Sequence, residues 1–164
     1  MILISLGANL PFRGCAPAQT LRNALATLSD NGVTPLKVSR FYETQAWPDP
    51  TDPSFVNAVA AVETLHAPPA LIRVLHDIEF IFGRVRTAPN APRTLDLDIV
   101  DYDGRIEAGP PELPHPRIAG RGFVLVPLGE IAPDWRHPVS GKTVNDLLSE
   151  LAPEARALKP LETP

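Results

Sequence analysis

Cysteine is almost missing from this chain, lysine is scarce, and no apolar run is long. The single Cys15 can form neither an intrachain disulfide nor a cysteine-based zinc site. No stretch approaches the roughly 18 uninterrupted apolar residues of a membrane span. The opening Met1–Gly7 is apolar but too short for a signal-peptide core, and it lacks a basic lead-in. A cytoplasmic protein without membrane contact is therefore expected. A net charge of −4 removes the broad basic surface that nucleic-acid binding uses. Only three of the fifteen basic residues are lysine, and the other twelve are arginine, whose rigid fork grips phosphate or carboxylate. A coding bias would give the same count, so the count alone decides nothing.

What is present fits one α+β domain of 164 residues. Apolar patterning predicts a strand over Met1–Leu6 and a helix from Pro17 to Asp30, with Leu21, Ala24, Leu25 and Leu28 on one face. Further strands are expected within Val33–Thr44, over Phe55–Glu63 and over Thr94–Tyr102. The prolines of Trp47–Pro53 make that stretch a loop. A second helix opens at Pro68 or Pro69, aligns Leu71, Leu75, Ile78 and Phe82, and stops at Gly83. Asp103-Gly104 reads as a hairpin turn into Arg105-Ile106, with Asp101 and Asp103 assigned to that turn. Gly122–Glu130 is ambiguous because Pro127 interrupts it, and a short helix closes the domain near Leu151. The expected layout is a single domain over 1–151 and a tail over 152–164, with a largely antiparallel sheet.

The chemistry concentrates in Pro92-Arg93-Thr94-Leu95-Asp96-Leu97-Asp98-Ile99. On a strand, residues two apart share a face. Leu95, Leu97 and Ile99 point one way, and Asp96 and Asp98 the other. Two adjacent carboxylates repel unless a cation bridges them. Magnesium suits them, being held by one or two carboxylates plus substrate phosphates. The ordinary alternative is an acidic solvent face. Arg84, Arg86, Arg93, Arg117 and Arg121 shift the balance, because phosphoryl transfer needs a metal and fixed cations around the transferred group. A surface salt-bridge network is the competing explanation for them. Ser140-Gly141-Lys142-Thr143 imitates the end of a phosphate-binding loop, but Arg136 stands where that motif needs glycine, so it reads as a turn and helix cap.

These segments together resemble the 6-hydroxymethyl-7,8-dihydropterin pyrophosphokinase family. The signature is Ala91–Ile99, supported by Gly7-Ala8-Asn9, Phe41–Thr44, Phe55–Ala58, Gly83–Arg86, Pro114-His115-Pro116 with Arg121–Leu125, and Glu130–Pro133. The resemblance implies a ferredoxin-like α/β sandwich. It also implies transfer of the β,γ-diphosphate of ATP to the pterin hydroxymethyl oxygen, with release of AMP, by a monomer using two Mg2+ ions. By position, Asp96 and Asp98 match the metal ligands, and Arg84 and Arg93 the catalytic arginines. His76, Glu79, Arg84, Arg86, Arg93, Ile99, His115 and Arg121 match the ATP side. Thr44, Gln45, Trp47, Phe55, Asn57 and Phe123 match the pterin side, the two phenylalanines as a sandwich around the ring. Departures are a loop over Thr87–Pro92 that is shorter than in relatives, with Asn90 where they carry tryptophan, and Gln45 and Trp47 in the pocket wall. A pterin aldolase or epimerase, or a nucleotide sensor, are the competing functions; neither needs the acidic pair, the arginines and the aromatic slot together.

Overall fold

Strand β1 (Ile2–Ala8) is apolar on both faces, and it lies inside the sheet. The structure, a computed structural model, describes residues 1–162. Helix α1 (Pro17–Asp30) has the expected bounds and buries Leu21, Ala24 and Leu28. The next alternating run divides into β2 (Val33–Val38) and β3 (Tyr42–Thr44). At the break, Ser39 replaces a ladder pair: its hydroxyl accepts the Val59 N–H, and its own N–H donates to the Val59 carbonyl, both at 3.0 Å. The long β4 (Phe55–Thr64) and helix α2 (Pro68–Ile81) follow, then β5 (Asp96–Tyr102). Beyond them come the short β6 (Glu107–Ala108) and β7 (Glu112–Leu113), α3 (Gly122–Ile131), α4 (Val144–Glu150), α5 (Pro153–Arg156) and β8 (Lys159–Pro160).

The main sheet runs β5-β1-β4-β3-β8, with β2 also on β4, and every pairing is antiparallel. Two crossing helices on this strand order give the ferredoxin-like β-α-β-β-α-β arrangement. Alternation then makes two cores. Ile2, Ile4, Leu6, Val62, Leu97 and Ile99 pack beneath α1 and α2, while Leu3, Val59, Ala61 and Val100 pack beneath α3 and α4.

One ambiguity is resolved and one local expectation is corrected. Gly122–Ile131 is an α-helix despite Pro127, because Val124, Leu125, Leu128 and Ile131 bury one face and hold it to the sheet. The turn at Asp103-Gly104 closes with Arg105 N–H on the Tyr102 carbonyl (3.0 Å), but no strand follows at 105–106; the ribbon is β6–β7. Asp101 serves that turn as expected, and it is also buried. It accepts the Trp135 indole N–H (2.8 Å) and the Gly104 N–H (3.0 Å). A shift of register between Leu3 and Ile4 brings both Val100 and Asp101 toward the α3 side. The motif at Ser140–Thr143 ends in the expected cap, a reciprocal box between Thr143 and Asp146. Of the expected tail, 163–164 lie outside the described residues; the rest contains α5 and β8.

Candidate active site

The face that carries α3 and α4 is only half covered. Register places Gly7 between Asn57 and Asp96, and Ser5 between Val59 and Asp98. Leu3, Val59, Ala61 and Val100 form core at one end, so Gly7, Phe55, Asn57, Asp96 and Asp98 form the polar other end of the same face. Gly7 is its floor. A Cβ there would come within 2.9 Å of Asn57 Oδ1, 3.8 Å of the Phe55 ring and 3.9 Å of Asp96 Cβ. Glycine is required by close approach, not by an unusual φ. The match at Gly7-Ala8-Asn9 gave this residue no role; its position opposite both Asn57 and Asp96 does.

The two carboxylates stand side by side and are 36% and 38% exposed for Asp96 and Asp98. Asp96 is held by two arginines: Arg84 Nη1 to Oδ1 at 2.8 Å, and Arg93 Nη2 to Oδ2 at 3.2 Å. Burial pushes its carboxyl upward in pKa, but Arg93 and Arg84 outweigh burial and hold it below the usual aspartate range. Asp98 is held differently. His115 Nδ1 accepts the Arg117 N–H (3.0 Å), which puts the ring proton on Nε2, 3.0 Å from Asp98 Oδ2. Arg121 Nη1 lies 3.3 Å from the same ring nitrogen, and burial lowers its pKa.

Behind the arginines sits Glu79, with a side chain only 2% exposed. Strand β5 is a sheet edge, and its Leu97 N–H donates to Glu79 Oε1 at 2.8 Å. The same carboxylate takes Arg84 (3.4 Å) and Arg86 (2.8 Å). Glu79 therefore does not reach the open face, contrary to its expected place among the ATP contacts; burial and three donors consume it. It positions Arg84 and Arg86. Ile99 differs similarly, since its side chain lies in the α1–α2 core and leaves only backbone for a ligand. His76 stands on α2 with its ring partly covered, and that partial desolvation and then Arg86 lower its pKa.

Burial raises the Glu79 pKa above the ordinary glutamate value, and the bond from Leu97 and the arginines only partly oppose it. The sign follows from linkage. A raised folded pKa gives stability that is fully present below the unfolded value near 4.5 and is lost as pH rises through the folded value. The stability difference between wild type and Glu79→Gln is thus expected to move against wild type as pH rises from 4.5 to neutrality. Urea melts at several pH values in a chelator test this, and a flat or opposite trend contradicts it.

At the Phe55 end of this face, Asn57 is buried and its Nδ2 donates to Thr44 Oγ1 at 2.7 Å. That leaves its carbonyl oxygen over Gly7. Phe55 carries the Arg93 guanidinium 4.9 Å from its ring centre, and the partly exposed Phe123 carries Arg121 at 5.6 Å. Gln45 is exposed and Trp47 is 73% exposed, at the start of the proline loop. Asn9, which the sequence left without a role, ties both halves together. Its Oδ1 accepts the Arg93 N–H (2.8 Å), and its Nδ2 donates to the Pro53 carbonyl (3.0 Å) two residues before Phe55.

Can these residues hold magnesium and a nucleotide? Among the described residues no group of three or more acids, histidines or cysteines could hold a metal alone. Two carboxylates leave most of an octahedral shell to water and phosphate, which is the usual magnesium arrangement at nucleotides. Arg93 Nε is buried without a partner beside Asp96, a donor still free for an anionic ligand. The donor set fits.

Comparison with known proteins decides the family. The family model described as 7,8-dihydro-6-hydroxymethylpterin-pyrophosphokinase matches residues 3–133. The chain belongs to this family. It is a pyrophosphokinase, a diphosphotransferase acting on hydroxymethyldihydropterin in folate biosynthesis, and enzymes of the family use ATP with Mg2+. A 2-amino-4-hydroxy-6-hydroxymethyldihydropteridine pyrophosphokinase from Synechocystis is 38% identical over 152 residues, covering 91% of this chain and 75% of that protein. One from Methylorubrum extorquens is 35% identical over 151 residues, 92% of each chain. A crystal structure of Plasmodium falciparum HPPK-DHPS superposes with a TM-score of 0.66 at 13% identity, over 90% of this chain and 44% of that one. That likeness is one of fold. No described helix of the pyrophosphokinase is long and apolar enough to cross a membrane.

Proposed function

We propose that the open half of the sheet face is where Mg-ATP and the pterin meet, with Asp96 and Asp98 as the ligands of two Mg2+ ions. The carrying observation is the pair itself: two half-exposed carboxylates on one strand face, fixed by Arg84, Arg93 and His115, and too few to hold an ion without nucleotide oxygens. Magnesium supplies charge neutralisation on the phosphates. Arg84 and Arg93 are the catalytic cations. They face the β-phosphoryl group as the hydroxymethyl oxygen attacks phosphorus and the bond to the α-phosphate oxygen breaks, leaving AMP. Arg86, His76, Arg121 and the Ile99 backbone contact the nucleotide. His115 orients Asp98, and Glu79 acts through the arginines.

The pterin edge pairs with Asn57 and Thr44, because an amide offers donor and acceptor in one plane. Phe55 and Phe123 face the ring system, and Gln45 and Trp47 close the outer wall. A single domain, a monomer and a cytoplasmic site complete the reading. Both sheet edges support the monomer, since Glu79 occupies a β5 donor and the two-residue β8 ends the other side.

Gly7→Ala is expected to raise the pterin KM about tenfold, roughly 1.4 kcal/mol, with the ATP KM unchanged. The new methyl meets Asn57 Oδ1 at 2.9 Å, and turning the amide aside breaks its bond to Thr44. Steady-state kinetics in each substrate check it. The reading as a whole is tested by phosphorus NMR of enzyme, ATP, Mg2+ and the pterin alcohol. AMP and a pterin diphosphate are expected; ADP, or no pterin-dependent change, contradicts it.

A further inference from the structure

The last described residues touch both walls of the pterin slot. On one side, β8 adds to the outer edge of β3: Tyr42 pairs with Pro160 and Glu43 with Lys159, and Leu161 N–H donates to the Phe41 carbonyl at 2.7 Å. Strand β3 is three residues long and carries Thr44, the partner of Asn57. The Leu161 side chain packs against the α1–α2 core, which anchors the segment. On the other side, α5 lies against the start of α3. A Cβ on Gly122 would fall on the Ala155 carbonyl oxygen, so only glycine lets the two backbones meet there. Gly122 stands between Arg121 and Phe123. Arg156 Nη1 donates to the Leu148 carbonyl (3.3 Å) and fixes the stretch between the two contacts to α4.

We propose that residues 152–161 are a positioning strap of the enzyme: Leu161 and Ala155 hold β3 and the N-terminus of α3, and through them Thr44 and Phe123, at the spacing the pterin ring needs. This rests on the assignment of the slot above. The strap lies beyond residues 3–133, the part of the chain that the family model matches. A three-residue strand has few ladder bonds of its own, and a second neighbour removes its freedom to fray. Preorganised walls lower the cost of ordering on binding. The Leu161 end of the strap meets only Phe41, β3 and the α1–α2 core, so loosening that end acts on the Thr44 wall of the slot.

The test uses the full-length enzyme with Leu161→Pro, which deletes the N–H that binds Phe41 while keeping an apolar side chain, and with Leu161→Ile as the conservative control. Steady-state kinetics in each substrate are joined to amide hydrogen exchange across Tyr42–Asn57. Leu161→Pro is expected to raise the pterin KM about tenfold, leave kcat and the ATP KM within about twofold, and speed exchange in β3. Leu161→Ile is expected to match wild type. Unchanged exchange overturns the strap. Faster exchange with an unchanged pterin KM overturns its link to the slot, and equal rises in both KM values show a general loosening instead. Failure of wild type to form a pterin diphosphate, with exchange in β3 still faster in Leu161→Pro, sinks the slot assignment and with it the strap's substrate role.

Discussion

Replacing Asp98 with alanine is expected to reduce kcat by about 10³-fold or more, a loss of roughly 4 kcal/mol of transition-state stabilisation, while the fold stays intact. The carboxylate is 38% exposed and holds no buried element together; its partners are the His115 ring and its neighbour's own N–H, Ile99, at 3.0 Å each. Circular dichroism and thermal melts should therefore stay close to wild type. Asp98→Asn separates charge from shape. It keeps an acceptor for His115 Nε2–H and still loses the anion, so it should be as inactive as the alanine variant. Full activity in Asp98→Asn contradicts a metal role and assigns the residue to orienting His115 alone.

Arg84→Ala is expected to be the most damaging arginine change, because Arg84 serves structure and chemistry at once. Its Nη1 meets Glu79 Oε1 at 3.4 Å, the Leu95 carbonyl at 2.8 Å and Asp96 Oδ1 at 2.8 Å. Truncation leaves Glu79, a buried carboxylate, with one arginine fewer, and such a loss costs about 3 kcal/mol. The rate should fall about 10³-fold, the scale of a removed phosphoryl-transfer arginine. Arg84→Lys should recover part of the stability but little of the rate, since a single ammonium that takes these three acceptors leaves no second nitrogen for the phosphoryl group. Chemical melts and single-turnover rates, taken well below the melting temperature, distinguish the two effects. A lysine variant with near-normal turnover would show that charge, not geometry, is what Arg84 provides.

Where side chains alternate strictly, the sequence was easy to read. Leu95, Leu97 and Ile99 on one side of β5 and Asp96 and Asp98 on the other follow from period two, and the structure keeps that division. Helices α1 and α2 were equally plain, each opened by proline and followed by a glycine at positive φ. Helix α3 was not, because the proline penalty is local while the burial of Val124, Leu125, Leu128 and Ile131 is tertiary. The same limit hid Asn9, Glu79 and Asp101. Each is a buried polar residue with one partner far along the chain: Pro53 for Asn9, 44 positions away, Leu97 for Glu79, 18 away, and Trp135 for Asp101, 34 away. Nothing in a linear pattern marks which polar residue will satisfy a distant backbone group. Residues 152–161 were invisible for a related reason. Two-residue strand pairing and a backbone contact at Gly122 leave no periodicity to find.

The most direct measurement is the binding of Mn2+, as a magnetic substitute for Mg2+, followed by electron paramagnetic resonance with and without a non-hydrolysable ATP analogue. Enzyme-bound Mn2+ should appear at low metal concentration only when nucleotide is present, and should vanish in Asp98→Asn. Equal metal affinity in the absence of nucleotide, or an undiminished signal in Asp98→Asn, would show that the neighbouring aspartates of β5 are not the platform on which the triphosphate is held.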